Sequence, residues 1–366
     1  MKDAPFLNLV LAVVLMIAIG WLMFVGRGIV LPVFAGAIVA YVLLAATDDL
    51  ARLPGFRRLP KLLIRLVLLL AFSAVLIAIA IVVAATVQDI VDATPTYQTN
   101  LNGWVDQIAD AFEVDSYAVW DEIRAVTIDQ INMQRLALSV LGGFTSLGVT
   151  VFLIVIYAAF LLAERQTFVE KLRVALHDRE SADRSIRIIA EINQRISRYL
   201  AVKTFINVLL AILSYAALRA FSIDFALFWA LMIGLFNYIP YVGSYIGVAF
   251  PVMLSLVQYT DIWFSVMLTL CLTVAQVLMG NIIEPRIIGR QLNLSPFVVI
   301  VALSFWATIW GIPGAILAVP MTSILAIILS SFSATRPIAV MMAERIDDPD
   351  ALVAGAPAGA APADRA

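Results

Sequence analysis

In a chain of 366 residues, 63% are hydrophobic and only 14% are charged, against about 25% charged in soluble proteins. That excludes a soluble globular protein and puts the chain in a bilayer, where uncharged runs of about 18 residues or more mark the spans. The formal net charge of -2 carries no topology as a sum, because the positive-inside rule reads Lys and Arg loop by loop. One cysteine and one histidine leave no internal disulfide and no Cys/His zinc site, and no metal or cofactor is expected.

Residues 6–25 read as a retained first span, since the apolar core is too long for a signal peptide and no small-residue cleavage site follows. A tight turn at Gly26, Arg27 and Gly28 leads into a second span at 29–47. The next loop carries Arg52, Arg57, Arg58, Lys61 and Arg65 against Asp48 and Asp49, which places it, and the amino terminus, in the cytoplasm. Residues 66–87 form the third span and close a first region, 1–87. From 88 to 142 there are nine acids and two arginines, which fits an extracytoplasmic location. Tyr97, Leu101, Trp104, Val105, Ile108 and Phe112 recur there at helical spacing, and Thr94 with Pro95 offers a cap and a first-turn proline. A small helical cap is expected, with a second short helix carrying Tyr117, Trp120 and Ile123. These aromatics read first as core and interfacial anchors.

A fourth span, within 143–163, returns to the inner side, where 164–203 holds nine Lys/Arg against six acids. Ile186, Ile189, Ile192, Ile196 and Tyr199 trace an amphipathic stripe, so this helix lies on the inner leaflet or packs on other helices. His177 falls in the break HDRESADRS and reads as a solvated loop residue. The fifth span, 205–221, opens the membrane core, 204–335. Residues 225–257 carry no charge, yet as one helix they would be about 50 Å long against a hydrocarbon core of roughly 30 Å. The segment breaks near its middle, at 237–243, which predicts two half-helices meeting at depth. Residues 297–330 repeat the pattern, broken at Gly311 to Gly314, with Pro320 beyond. An ordinary span, 262–283, lies between them. Paired interrupted segments in corresponding positions point to a transporter's substrate site. If both are re-entrant hairpins, 258–261 is outside and Arg286 and Arg290 are inside; if both cross, these sides exchange. The arginines favour hairpins, and either way the tail, 336–366, is cytoplasmic. From Asp347 it is too poor in large apolar residues to bury a core. The fold expected is an all-α polytopic membrane protein of eight apolar segments: about six full transmembrane helices and two broken or re-entrant ones.

NYIPYVG at 237–243, GNIIEPRIIGRQLNLSP at 280–296 and WGIPGAILAVP at 310–320 resemble the signature segments of the autoinducer-2 exporter family of bacterial inner-membrane proteins. The acidic outer segment and the charged inner helix resemble that family's layout too. The resemblance implies a secondary transporter or exporter of a small polar solute, assembled as a homo-oligomer with a pentamer as the expected state. Family members are linked with export of autoinducer-2 or with sodium or lithium exchange for protons, so H+ or Na+ is the coupling ion to consider. The sequence departs from the family pattern at Met279, where many members carry an acid, and at Ile312 and Pro313; the missing acid weakens a cation reading.

At the first break Asn237 supplies an amide, Tyr238, Tyr241, Tyr245 and Ser244 supply hydroxyls, and a half-helix amino terminus presents free N–H groups. Pro240 and Gly243 make the break, and a packed kink is the plainer account of both. Gly311 and Gly314 make the second. Glu284, beside Pro285, is a coupling or gating candidate; structural pairing with Arg286 or Arg290 is the alternative. Gln258, Gln276, Thr273 and Asn281 could line a polar path or simply bond helix to helix. An enzyme is disfavoured, since the sequence has no HExxH, GxxxxGK or GxSxG pattern and no paired intramembrane aspartates. No nucleic-acid partner is expected. A non-transporting scaffold would leave the paired breaks unexplained.

Overall fold

The structure, a computed structural model, describes residues 5–112, 133–175, 178–259, 261–288 and 292–345. Among them there are helices and no strand: α1 (Pro5–Val25), α2 (Arg27–Leu50), α3 (Lys61–Phe112), α4 (Met133–Ala175), α5 (Arg179–Ala220), α6 (Ala226–Phe236), α7 (Val242–Gln258), α8 (Ile262–Val277), a π-helical turn (Leu278–Ile283), α9 (Glu284–Ile288), α10 (Pro296–Ser330) and α11 (Arg336–Met342). The eight apolar segments are helical apart from the breaks at 237–241 and at Gly311. By length and composition Arg27–Leu50, Lys61–Ala93, Ala182–Ala220, Ile262–Ile287 and Pro296–Ser330 can each cross a bilayer. The protein is an all-α polytopic membrane protein. The short helix expected around Tyr117, Trp120 and Ile123 lies outside the described residues, as do His177, Arg290 and the tail from Asp347.

The chain divides into two compact units, one of 1–164 and 200–289, the other of 165–199 and 290–366. In the first, α2, α3 and α4 pack through Ala40, Leu43, Leu44, Ala158 and Leu162, with Leu68, Leu69 and Phe72 against them. Gly36 lets α2 approach α4: a Cβ there would sit 2.8 Å from Cβ of Tyr157 and 3.1 Å from the Ile154 carbonyl. The second core of this unit joins Ile206, Leu210 and Leu218 of α5 to Ala230 and Ile233 of α6 and to Leu268 and Leu272 of α8.

Thr94 and Pro95 do not start a new helix: α3 runs unbroken from Lys61 to Phe112 with Pro95 inside it. Proline removes one ladder bond, but the turns beyond it are tied down by tertiary bonds. Tyr97, Asn100 and Trp104, at helical spacing, bond respectively to Asp224, to the Val257 and Gln258 carbonyls, and to the Leu256 carbonyl. Likewise the amphipathic inner helix and the fifth span are one helix, α5. In its stripe Ile192, Ile196 and Tyr199 are buried, so that face packs on protein.

The first interrupted segment is a hairpin. Trp229 of α6 stacks on Phe250 of α7, ring centroids 5.8 Å apart, and a Cβ on Gly247 would meet Ile233 Cα at 3.3 Å. Its open ends meet as well: the Gln258 amide accepts from Asp224 N–H and donates to the Ser222 carbonyl. In the second unit α10 also folds back. Trp306 Nε1 donates to Thr322 Oγ1 at 3.0 Å, although sixteen residues of straight helix would separate them by about 24 Å. The fold is at Gly311, φ 67° and ψ -144°, a conformation essentially restricted to glycine. Ser295 caps α10 by accepting from Val298 N–H, and Ser295 N–H in turn donates to the Met342 carbonyl, which ties the start of this hairpin to the end of α11.

Candidate functional site

Pro240 dictates the first break. Without an N–H, and with its ring against the carbonyl four residues back, it ends α6 at Phe236. The chain closes with short-range bonds: Ile239 N–H to the Phe236 carbonyl at 2.8 Å and Val242 N–H to the Pro240 carbonyl at 2.6 Å. The second of these is a γ-turn centred on Tyr241, at φ 61° and ψ -60°, the rare strained hand of that turn. Gly243 is required because a Cβ there would fall on the Phe236 carbonyl oxygen. Tyr241 therefore shapes the turn with its backbone, and its side chain, like that of Tyr245, is exposed.

This turn delivers Asn237 into a buried polar chain. Asn237 Nδ2 donates to Asn207 Oδ1 of α5 at 2.7 Å, and Ser244 Oγ of α7 donates to Asn237 Oδ1 at 3.2 Å. Gln276 Nε2 of α8 reaches the Ser244 carbonyl at 3.4 Å. Asn207, Asn237 and Gln276 are 3%, 4% and 9% exposed. Both ends of the chain are open: Asn207 Nδ2 and Gln276 Oε1 are buried without a partner. An unpaired buried polar group costs about 1–3 kcal/mol, and here a free donor on α5 and a free acceptor on α8 flank the helix break. Beside it the Tyr238 hydroxyl and Thr204 Oγ1 lie 2.6 Å apart.

One helical turn before Asn207, Lys203 Nζ bonds both oxygens of Glu284 at 2.7 Å. The side chains are 7% and 22% exposed. Arg290 lies outside the described residues, and Glu284 pairs with Lys203 of α5 and not with Arg286, which is exposed. The reason is the π-helical turn. Eight α-helical residues from Gln276 to Glu284 would turn through about 800°, roughly 80° past two full turns. The wide turn absorbs about one extra residue, cancelling about 100° and returning Glu284 close to the face of Gln276. Thr273 and Asn281 are exposed and do not join this cluster.

The sequence matches the family model described as AI-2E family transporter over residues 10–334. The chain belongs to the AI-2E transporter family. A Borreliella burgdorferi protein named for transport is 33% identical over 249 residues, 68% of this chain and 67% of that one. YhhT of Escherichia coli K12, also named for transport, is 24% identical over 267 residues, 73% of this chain and 75% of YhhT. The AI-2 transport protein TqsA of the same strain is 34% identical over 149 residues, 41% of this chain and 43% of TqsA. This AI-2E protein is accordingly a multi-pass bacterial membrane transporter and not an enzyme.

Two members of the AI-2E cluster, Lys203 and Asn207, went unpredicted, although an Asn inside the apolar run 205–221 four residues after a Lys was a readable signal of one polar helix face. Gln258 belongs to a clasp at the open end of the hairpin, together with Tyr97, Asn100, Trp104, Asp224 and Tyr259, whose hydroxyl donates to the Ser222 carbonyl at 2.8 Å. Burial first, then its hydrogen bond to Asp224, hold the Tyr97 hydroxyl protonated well above the usual phenol range. In the second unit Gly314 plays the part of Gly243: a Cβ there would fall on the Trp306 carbonyl oxygen.

Proposed function

We propose that this transporter is a secondary carrier that exports a small polar solute across the bacterial inner membrane, binding it at the tip of the first hairpin. The observation that carries this reading is the buried amide chain Asn207–Asn237–Ser244–Gln276 with a free donor at one end and a free acceptor at the other. In a bilayer, non-helical backbone is tolerated only where protein buries it or a polar cavity meets it, and the break at 237–241 brings such backbone to those amides. We place both termini in the cytoplasm, with the hairpin re-entering from the outer side. Alternating access moves the solute past the tip, and the carrier works as a homo-oligomer. AI-2, the cargo in TqsA's name, is the first solute to test.

Sodium or lithium exchange for protons is the weaker reading, because the buried position Met279 offers no carboxylate. The test is counterflow of labelled AI-2, other small polar solutes and alkali cations in proteoliposomes. Asn237→Leu and Gly243→Leu should insert and lose solute flux. Normal flux in both folded variants removes the site from the hairpin tip.

A further inference from the structure

We propose that Glu284 is the proton-carrying group of this carrier, protonated whenever Lys203 withdraws from it; this rests on the carrier reading above. The argument starts from connectivity. Lys203 and Asn207 share one face of α5, and Gln276 and Glu284 share one face across the π-helical turn. The amide chain joins α5 to α8 through the hairpin tip, while the ion pair joins α5 directly to α9. These bonds form one closed circuit. A tip movement that changes the separation of α5 and α8 therefore strains the pair at 2.7 Å.

Once the pair opens, Glu284 is a half-buried carboxylate without the ammonium that balanced it, and such a group lowers its free energy by taking a proton. Carboxylate plus one proton from water gives the neutral acid, and re-forming the pair returns that proton. Arg286 on α9 is exposed, the hairpin turn brings the Tyr238 hydroxyl to Thr204 beside Lys203, and α8 contributes only the uncharged Gln276. The π-helical turn, a feature often found at functional sites, is what puts the carboxylate there.

Two measurements decide it. Infrared spectra of the full-length protein in lipid nanodiscs at neutral pH should show the carbonyl stretch of a protonated carboxylic acid in Lys203→Met. The band should be absent in the parent and gone again in Lys203→Met/Glu284→Gln. In proteoliposomes with labelled AI-2 as probe, a one-unit pH gradient should support up to about a tenfold accumulation ratio for one proton per solute. In Glu284→Gln the ratio should fall to about one, whatever the rate of exchange. The double variant Lys203→Gln/Glu284→Gln carries no unpaired charge and should give the same ratio, so misfolding of the single variant does not decide the outcome. Absence of the infrared band in Lys203→Met, or gradient-driven accumulation persisting in the double variant, overturns the assignment. Loss of AI-2 counterflow in the parent would instead count against the carrier reading for that solute, with the infrared result still deciding Glu284.

Discussion

Asn237→Leu is the most informative single change at the hairpin tip. Leucine shares asparagine's branched outline but is larger, so the substitution opens no cavity and acts through lost hydrogen bonds together with some overpacking. It removes the donor to Asn207 at 2.7 Å and the acceptor of Ser244 at 3.2 Å. Ser244 can rotate its hydroxyl to another acceptor. Asn207 cannot adapt as easily, because its Nδ2 is already unpaired and its Oδ1 now loses its donor. Side-chain hydrogen bonds inside membrane proteins average about 0.6 kcal/mol and reach about 1.7, while an orphaned buried group costs about 1–3 kcal/mol. The expected loss is therefore about 1–3 kcal/mol, read as a Tm drop of a few degrees in nanodiscs, together with a fall in counterflow of roughly tenfold or more. Asn207→Leu/Asn237→Leu leaves no orphan at this contact and should be less destabilised than the sum of the two single variants, by about 0.5 kcal/mol or more. Strict additivity, or undiminished flux in the folded single variant, would refute the reasoning.

Breaking the buried ion pair from one side should cost more than removing it. Lys203→Met is expected to lose about 2–4 kcal/mol, below the usual 3–5 for a fully buried pair because Glu284 keeps some solvent, and Lys203→Met/Glu284→Gln should regain most of it in thermal melts. At the second hairpin Gly314→Ala puts a Cβ on the Trp306 carbonyl oxygen and should destabilise by about 1–3 kcal/mol or more; Gly20→Ala, with nothing within 4 Å, is the neutral control in the same expression and melting assay. The clasp should weaken in alkali. The folded-state pKa of Tyr97 is raised, so its contribution is whole below the unfolded value near 10 and is lost as pH climbs through the folded one. The protection of residues 97–104 against hydrogen exchange, taken relative to the intrinsic rate at each pH, should accordingly fall only above about pH 10, and Tyr97→Phe should cost about 0.5–1.5 kcal/mol at neutral pH.

The membrane character and both breaks were legible because they depend on local quantities: the length of an uncharged run against bilayer thickness, and proline or glycine where a helix must stop. Pro240, Gly243, Gly311 and Gly314 carried that information directly; that the broken segments fold back as hairpins was favoured only by Arg286 and Arg290. The continuity of α3 was not legible. Thr94 and Pro95 are a good helix start by local rules, and what overrides them is bonding to residues more than 120 positions away, from Tyr97 to Asp224 and from Asn100 to Val257. The partner of Glu284 was hidden for a similar reason. Its orientation depends on the register of a π-helical turn, and the stretch 278–283 carries no side-chain pattern that marks an extra residue per turn. Asn207 was visible as a polar residue in an apolar span, but its role needs the hairpin tip, which folds back from thirty residues on.

The two ends of the first hairpin are held by different physics. At the open end the last carbonyls of α7, which a helix cannot satisfy internally, accept from the Asn100 amide and the Trp104 indole of α3, at 3.0 and 3.1 Å and at 2.7 Å. Ser255 adds a bond of 2.8 Å to Ser265 of α8. This end is clamped on two sides, and loss of the α3 groups would leave backbone carbonyls unpaired. The tip has no such clamp. It is a strained γ-turn at Tyr241 held by amide and hydroxyl contacts from α5, α7 and α8, with a buried donor and a buried acceptor still unspent. Strain of this kind is worth about 1–3 kcal/mol, comparable to the few side-chain bonds that oppose it. On the proposed carrier reading, a solute that pairs the free donor and acceptor therefore needs to supply only a few kcal/mol to change the conformation of the tip. An α3 that stopped at Pro95 would leave its side of the clamp unmade, and the last carbonyls of α7 would then lack those partners.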